Sequence, residues 1–217
     1  MKVLVTGFDP FGGESINPAW EAVSGLPARI ADAEIVTLQI PVVVGASLYR
    51  LHEKIRELAP DLVISVGQAG GRYCVTPERV AINVIDARIP DNDGNQPIDE
   101  PIFADGETAY FSNLPVKQMV KAIQEAGYPA RLSNTAGTYL CNYVMYGILY
   151  YIQKEFPQMQ GGFIHVPYTV SQVLDKPDTP AMSIPDIRAS LTAAIAAAVQ
   201  AKAQGENGEK LAGGSIC

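Results

Sequence analysis

Short apolar runs and helical-period stretches alternate along the chain. Continuous runs of the kind that a strand buried on both faces requires occur at Lys2–Thr6, Glu34–Ile40, Leu62–Val66 and Gly162–Val166. Val80–Ile85 and the shorter Ala130–Leu132 are further strand candidates. Between these runs the apolar period becomes that of a helix. Leu48, Leu51, Ile55 and Leu58 recur at three- and four-residue spacing and predict an amphipathic helix. Other helices are predicted from about Pro18, over Pro115–Ala126, from Cys141 to about Phe156, and along the Ala-rich stretch from Ile184 to about Ala203. Strands alternating with helices predict a layered α/β domain.

The polar stretches between these elements are unequal. Gly7-Phe8-Asp9-Pro10-Phe11-Gly12-Gly13 follows the first strand, and Gly67-Gln68-Ala69-Gly70-Gly71 follows Leu62–Val66. Neither has the spacing of a nucleotide-binding loop, so both read as tight turns that bring backbone close to a ligand. Pro90 to Gly106 is dense in Pro, Asp, Asn and Gly with no apolar period, which predicts a long irregular loop. No repeat and no linker divides the chain. Residues 1–204 are therefore expected to form one catalytic domain, and 205–217 a flexible tail.

Composition narrows the function classes. The net charge is −7 and no Lys/Arg cluster occurs, which argues against nucleic acid as a partner. No apolar stretch reaches membrane-spanning length, and the start of the chain lacks a signal-peptide pattern, so a cytoplasmic protein is expected. Cys74, Cys141 and Cys217 are an odd number and argue against a disulfide framework. Neither His52 nor His165 pairs with a cysteine at zinc-ligand spacing, so no metal is expected.

Three side chains carry candidate chemistry. His165 lies at the carboxyl end of an apolar strand, where open α/β sheets form their ligand crevice. It reads either as a catalytic base or as a core histidine satisfied by a backbone carbonyl. Cys141 opens a helix after the small, polar stretch Ser133–Thr138. The positive end of the helix dipole favours thiolate and can lower a thiol pKa from about 8.5 to roughly 3.5–7.5. An inert buried cysteine is the alternative. Glu78, just before a predicted strand, suits the carboxylate that orients a histidine, or a surface ion pair with Arg79. Phe8 and Phe11 are placed to wall an apolar pocket or to plug the core beneath a loop.

Five segments together resemble the pyroglutamyl peptidase I (pyrrolidone carboxyl peptidase) family of cysteine peptidases. They are TGFDPFGG from Thr6, GQAGGRYCVTPERVAIN from Gly67, DARIPDNDGNQPIDEPI from Asp86, LSNTAGTYLCN from Leu132 and GGFIHVPY from Gly161. The resemblance runs from Met1 to about Gln200. It implies Cys141 as nucleophile, His165 as base and Glu78 as the third catalytic residue. It also implies a lactam pocket at Phe8, Phe11, Gln68 and Leu140, with Arg88 near the oxyanion. The fold it implies is a single-domain α/β/α sandwich on a twisted mixed, mainly parallel sheet, assembled as a homodimer or homotetramer. The implied reaction is hydrolysis of N-terminal pyroglutamyl peptides through a thioester, without cofactor or metal. Two rivals remain at this level: a phosphate-using transferase of similar architecture, and a binding protein that has lost catalysis.

Overall fold

The computed structural model describes residues 1–205, 212 and 214. The expected flexible tail, 205–217, lies outside them apart from Gly205, Ala212 and Gly214. In chain order the elements are β1 (Lys2–Phe8), α1 (Pro18–Val23), β2 (Arg29–Ile30), β3 (Ala33–Ile40), α2 (Ala46–Leu58), β4 (Leu62–Gln68), β5 (Thr76–Pro77), β6 (Val80–Ile82), β7 (Ala109–Phe111), α3 (Val116–Glu125), α4 (Leu140–Lys154), β8 (Gln160–Val166), a 3₁₀ turn (Val170–Gln172) and α5 (Ile184–Gln204). The main sheet has the order β2-β3-β1-β4-β8-β5. β3, β1, β4 and β8 run parallel, and the two edge strands are antiparallel to their neighbours.

Strand alternation divides the apolar side chains between two cores. Val3, Val5, Leu62, Ile64, Val66 and Ile164 face α1, α3 and α5. Leu4, Phe8, Val63 and Phe163 face α2 and α4. This is the expected α/β/α sandwich on a mixed, mostly parallel sheet. Parallel strands covered on both faces must be apolar throughout, which is why their sequences read as continuous runs. α4 is a central helix: Val144, Met145, Tyr146 and Ile148 have no exposed surface. Gly147 lets α2 come close, since a Cβ there would meet the Leu48 side chain at 2.3 Å.

Two strand expectations need correction. The strand predicted over Val80–Ile85 stops at Ile82 and pairs with β7 in a separate two-stranded ribbon. Asn83 ends it: its side chain accepts from the Ile102 and Phe103 amides and donates to the Phe103 carbonyl. These bonds turn the chain into the long loop. Ala130–Leu132 forms no strand and contributes only a bridge from Ala130 to Val75. The segment 90–106 does hold no helix or strand, but it is firmly tied. Buried Asp91 accepts from the amides of Val44, Asp93 and Asn95 and from the Asn95 side chain. Asn92 donates to the Pro10 carbonyl at 2.9 Å.

Candidate active site

The carboxyl ends of β1, β4 and β8 meet at one rim. Strand parity puts Phe8, Gly67 and His165 on the face covered by α2 and α4. Gly67 and His165 are register partners across β4 and β8. His165 is buried, and its ring packs on Phe163 at 4.9 Å between centroids.

Edge strand β5 supplies the carboxylate. Thr76 pairs with His165 and Pro77 with Ile164, and the Glu78 amide donates to the Phe163 carbonyl at 2.9 Å. Glu78 therefore sits diagonally from His165 on the same face, within reach of a long side chain. Its Oε1 accepts from His165 Nδ1 at 2.7 Å. Pro77 lies on the edge strand of the sheet, where a proline is tolerated, and its carbonyl accepts from the Ser133 amide of the segment beyond at 3.0 Å. The surface-ion-pair alternative for Glu78 is set aside, since the side chain has no exposed surface. So is the carbonyl-satisfied reading of His165.

Cys141 stands in the first turn of α4, half-buried above Gly67. A Cβ on Gly67 would lie 2.9 Å from its Sγ. The sulfur and His165 thus flank one glycine. The amides of Leu140, Cys141 and Asn142 precede the first intrahelical bond, from Tyr143 to the Tyr139 carbonyl, and form a ready oxyanion receptor.

The ionisation states follow from burial and one cation. Burial raises the Glu78 pKa, but the hydrogen bond and charge of His165, then the charge of Arg72, outweigh it and hold the carboxyl below its ordinary 4.5. Burial lowers His165 below its ordinary 6.5 against the opposing pull of Glu78. Burial pushes the Cys141 thiol up to about 12, and the charge of Glu78 adds to the rise. Desolvation thus acts in the opposite direction to the helix dipole at this thiol. Both shifts favour a neutral thiol and a neutral imidazole.

Beside the sulfur is a narrow slot lined by Phe8, Phe11, Asn17, Val42, Gln68, Tyr139, Leu140 and Cys141. All four expected pocket residues are there, and no side chain in it is charged at neutral pH. The Gln68 carbonyl oxygen accepts from Gln172 of the 3₁₀ turn at 3.0 Å, which orients the amide. Asn17 caps α1 with its oxygen and donates to the Asp9 carbonyl. Arg88 is exposed and does not line the slot. A larger cavity, of about 630 Å³, lies beyond Arg72 against α3. It contains neither Cys141 nor His165, so the smaller slot is the candidate site. Among the described residues no cluster of three or more His, Cys, Asp or Glu side chains could hold a metal.

Sequence reasoning missed Asn17, Val42 and Tyr139 as pocket walls and Arg72 as the partner of Glu78. Arg72 alone carried a signal: it stands in the same motif as Glu78, directly after Gly70-Gly71.

A thiol at a helix start, above a buried imidazole–carboxylate pair at the carboxyl rim of a parallel sheet, is the arrangement of a cysteine-type hydrolase. The pyroglutamyl peptidase family profile matches residues 1–201. The chain belongs to this family. It is 58% identical to a pyrrolidone-carboxylate peptidase of Clostridium perfringens over 217 residues, covering 100% of both chains. Among solved structures it resembles pyroglutamyl peptidase I of Bacillus amyloliquefaciens, with TM-score 0.89, 48% identity, and 92% and 97% of the two chains covered. It also resembles the pyrrolidone carboxyl peptidase of Thermococcus litoralis, with TM-score 0.94, 39% identity, and 97% and 99% covered.

Proposed function

We infer that the protein hydrolyses the bond after an N-terminal pyroglutamyl residue, with Cys141 as nucleophile, His165 as proton carrier and Glu78 as the group that orients it. The observation that carries this reading is an uncharged slot alongside a thiol and a His165–Glu78 pair. Pyroglutamate is a lactam and bears no charge at its nitrogen. A free ammonium terminus entering this slot would lose its water with no carboxylate to receive it, at a cost of several kcal/mol. The lactam ring loses little. Phe8 and Phe11 wall it, and the polar groups near Gln68 and Leu140 meet its N–H and C=O. A ring lacking one of these groups leaves a buried partner unpaired, at roughly 1–3 kcal/mol.

Glu78 holds the Nδ1 hydrogen, so Nε2 is the nitrogen free to act. It removes the Cys141 proton as the sulfur attacks the pyroglutamyl carbonyl. Coupling these events suits a thiol that burial keeps protonated. The first-turn amides of α4 receive the oxyanion. Collapse of the tetrahedral adduct breaks the C–N bond, and the Nε2 proton goes to the departing amine. Water, deprotonated by Nε2, then attacks the thioester carbonyl. The proton returns to sulfur, releasing pyroglutamate and free Cys141. Exposed Arg88 is proposed to reach the oxyanion only with substrate in place.

The test is turnover of a pyroglutamyl anilide under reducing conditions, without phosphate. Cys141→Ser and His165→Ala should fold and lose activity by on the order of 10³-fold or more. Glu78→Gln should keep KM and lose rate. Undiminished turnover in Cys141→Ser, or a requirement for phosphate, would remove the reading. We further propose a cytoplasmic location, which the unpaired Cys74 and Cys141 favour, and assembly as a homodimer or homotetramer. Exposed Phe111 and Leu174 would suit a subunit contact, and sedimentation of the purified protein at several concentrations checks it. No helix among the described residues is long and apolar enough to cross a membrane.

A further inference from the structure

Arg72 occupies the turn after β4, its amide bonded to the Ala69 carbonyl and the preceding Gly71 at φ 87°. Its guanidinium reaches two parts of the site. Nη1 donates to Glu78 Oε1 at 2.5 Å and also to the Thr76 hydroxyl. Nη2 donates to the Thr135 carbonyl at 3.1 Å. Thr135 lies in the loop that runs directly into α4. That loop is held by the Ser133 hydroxyl donating to the Thr135 carbonyl and by the Gly137 amide donating to the Thr135 hydroxyl. One planar, two-pronged cation therefore fastens the carboxylate and the approach to the thiol, as only arginine geometry allows.

We propose that Arg72 is the positioning residue of the active site: it balances the Glu78 charge so that His165 stays a neutral base, and it fixes the loop that delivers Cys141. This rests on the roles given above to Glu78, His165 and Cys141. The physical need is specific. Glu78 has no exposed surface, and its Oε1 receives both Arg72 and His165. A buried carboxylate must be paired. With Arg72 present, a permanent cation on Oε1 matches the carboxylate charge while the imidazole is uncharged, although Oε2 is buried without a hydrogen-bond partner. Without it, the one other ion-pair partner of Glu78 shown among the described residues is the imidazolium, and a histidine held protonated cannot accept the thiol proton. Among the described residues, the charged groups about His165 are Glu78 from the end of β5 and Arg72 from the turn after β4, and the Cys141 sulfur of α4 lies over Gly67, the register partner of His165. Arg72 is the one permanent cation among them, and its charge lowers the His165 pKa.

The experiment is the pH profile of kcat/KM for a pyroglutamyl anilide in wild type, Arg72→Gln and Arg72→Lys, with folding followed by circular dichroism. In Arg72→Gln the acid limb should move up by about one pH unit or more, and kcat at neutral pH should fall by roughly tenfold or more, with KM little changed. Arg72→Lys keeps the charge but cannot bond both Glu78 and Thr135. Its acid limb should stay near that of wild type while kcat still falls. An Arg72→Gln limb that does not move overturns the proposal. Should Arg72→Gln fail to fold, Arg72→Lys decides: an unmoved limb with lowered kcat supports the proposal, and a wild-type kcat or a displaced limb overturns it. Loss of activity on alkylating Cys141 in wild type is measured alongside. If alkylation leaves turnover intact, the catalytic assignment itself has failed, whatever Arg72 does.

Discussion

Gly67 and Cys141 share one small volume. A methyl group on Gly67 would lie 2.9 Å from the sulfur and 2.7 Å from Cζ of Phe163. No real Cβ tolerates both contacts, so the glycine is what lets the thiol come down beside His165.

Gly67→Ala should therefore act on chemistry more than on binding. Overpacking at such a site costs about 1–3 kcal/mol of stability, and, with Cys141 as the proposed nucleophile, its displacement by about 1 Å costs about 100-fold in rate. The expected outcome is a folded protein with a modestly lowered melting temperature, a kcat reduced by about two orders of magnitude and a near-normal KM. Steady-state kinetics with a pyroglutamyl anilide check it, and an unaltered kcat would contradict the packing argument.

The pH response has a definite sign at each end. His165 lies below its ordinary 6.5 and Glu78 below its ordinary 4.5. The folded state therefore binds these protons less readily than the unfolded chain. The stability they contribute is complete above 6.5 and is lost as pH falls through the folded values. Cys141 is the reverse: its folded pKa of about 12 lies above the ordinary 9.0. Its contribution is complete below 9.0 and fades as pH rises towards 12. Melting temperature should thus form a plateau bounded on both sides, and Cys141→Ser should lose less stability than wild type on the alkaline side. Iodoacetamide capture of Cys141 should keep accelerating above pH 9 in the free protein. A labelling rate that levels off near neutrality would mean a preformed thiolate.

Asp91 governs the slot from outside it. Burial works to raise its pKa, but the bonds from Val44, Asn95 and Asp93 prevail and hold it below the ordinary 3.8. Its loop reaches three walls of the slot: Val42, whose carbonyl accepts from the Asn92 amide; the Phe8–Phe11 turn through Pro10; and Tyr139 through its bond to the Pro90 carbonyl. Asp91→Ala should cost about 1–3 kcal/mol of stability and raise KM several-fold, with a smaller effect on kcat. Denaturant unfolding and Michaelis kinetics on the same preparation separate the two effects, and an unchanged KM would show that the walls stand without the loop.

The parts legible in the sequence are those whose signal is local. β1, β3, β4 and β8 are buried on both faces and so announce themselves as apolar runs, and α2 shows its period through Leu48, Leu51 and Ile55. β2, β5 and β7 are two or three residues long, too short to carry any period, and exist only because a neighbouring strand offers hydrogen bonds. β6 was overextended because nothing in Val84-Ile85 reveals that Asn83 will bond the loop at Phe103. The motifs that carry Cys141, His165, Glu78 and the four pocket residues are local in sequence, and the structure gathers these side chains at one rim. The role of Arg72 is not legible in this way, because it arises only when a turn after β4 meets residues 78 and 135 in space. The desolvation of the Cys141 thiol is likewise invisible: a helix start can be read from sequence, but the depth to which its side chain is removed from water cannot.

The carboxylate hangs from the outermost strand of the main sheet, and that strand is only Thr76 and Pro77. His165 and Cys141, by contrast, rest on the long strand β8 and the central helix α4. The His165–Glu78 pair is therefore expected to be the first part of the site undone when the sheet loosens. Mild denaturant should silence the enzyme while its core is still intact, with turnover lost at lower urea than helical circular dichroism. Coincident losses would mean that this margin is as firmly held as the centre.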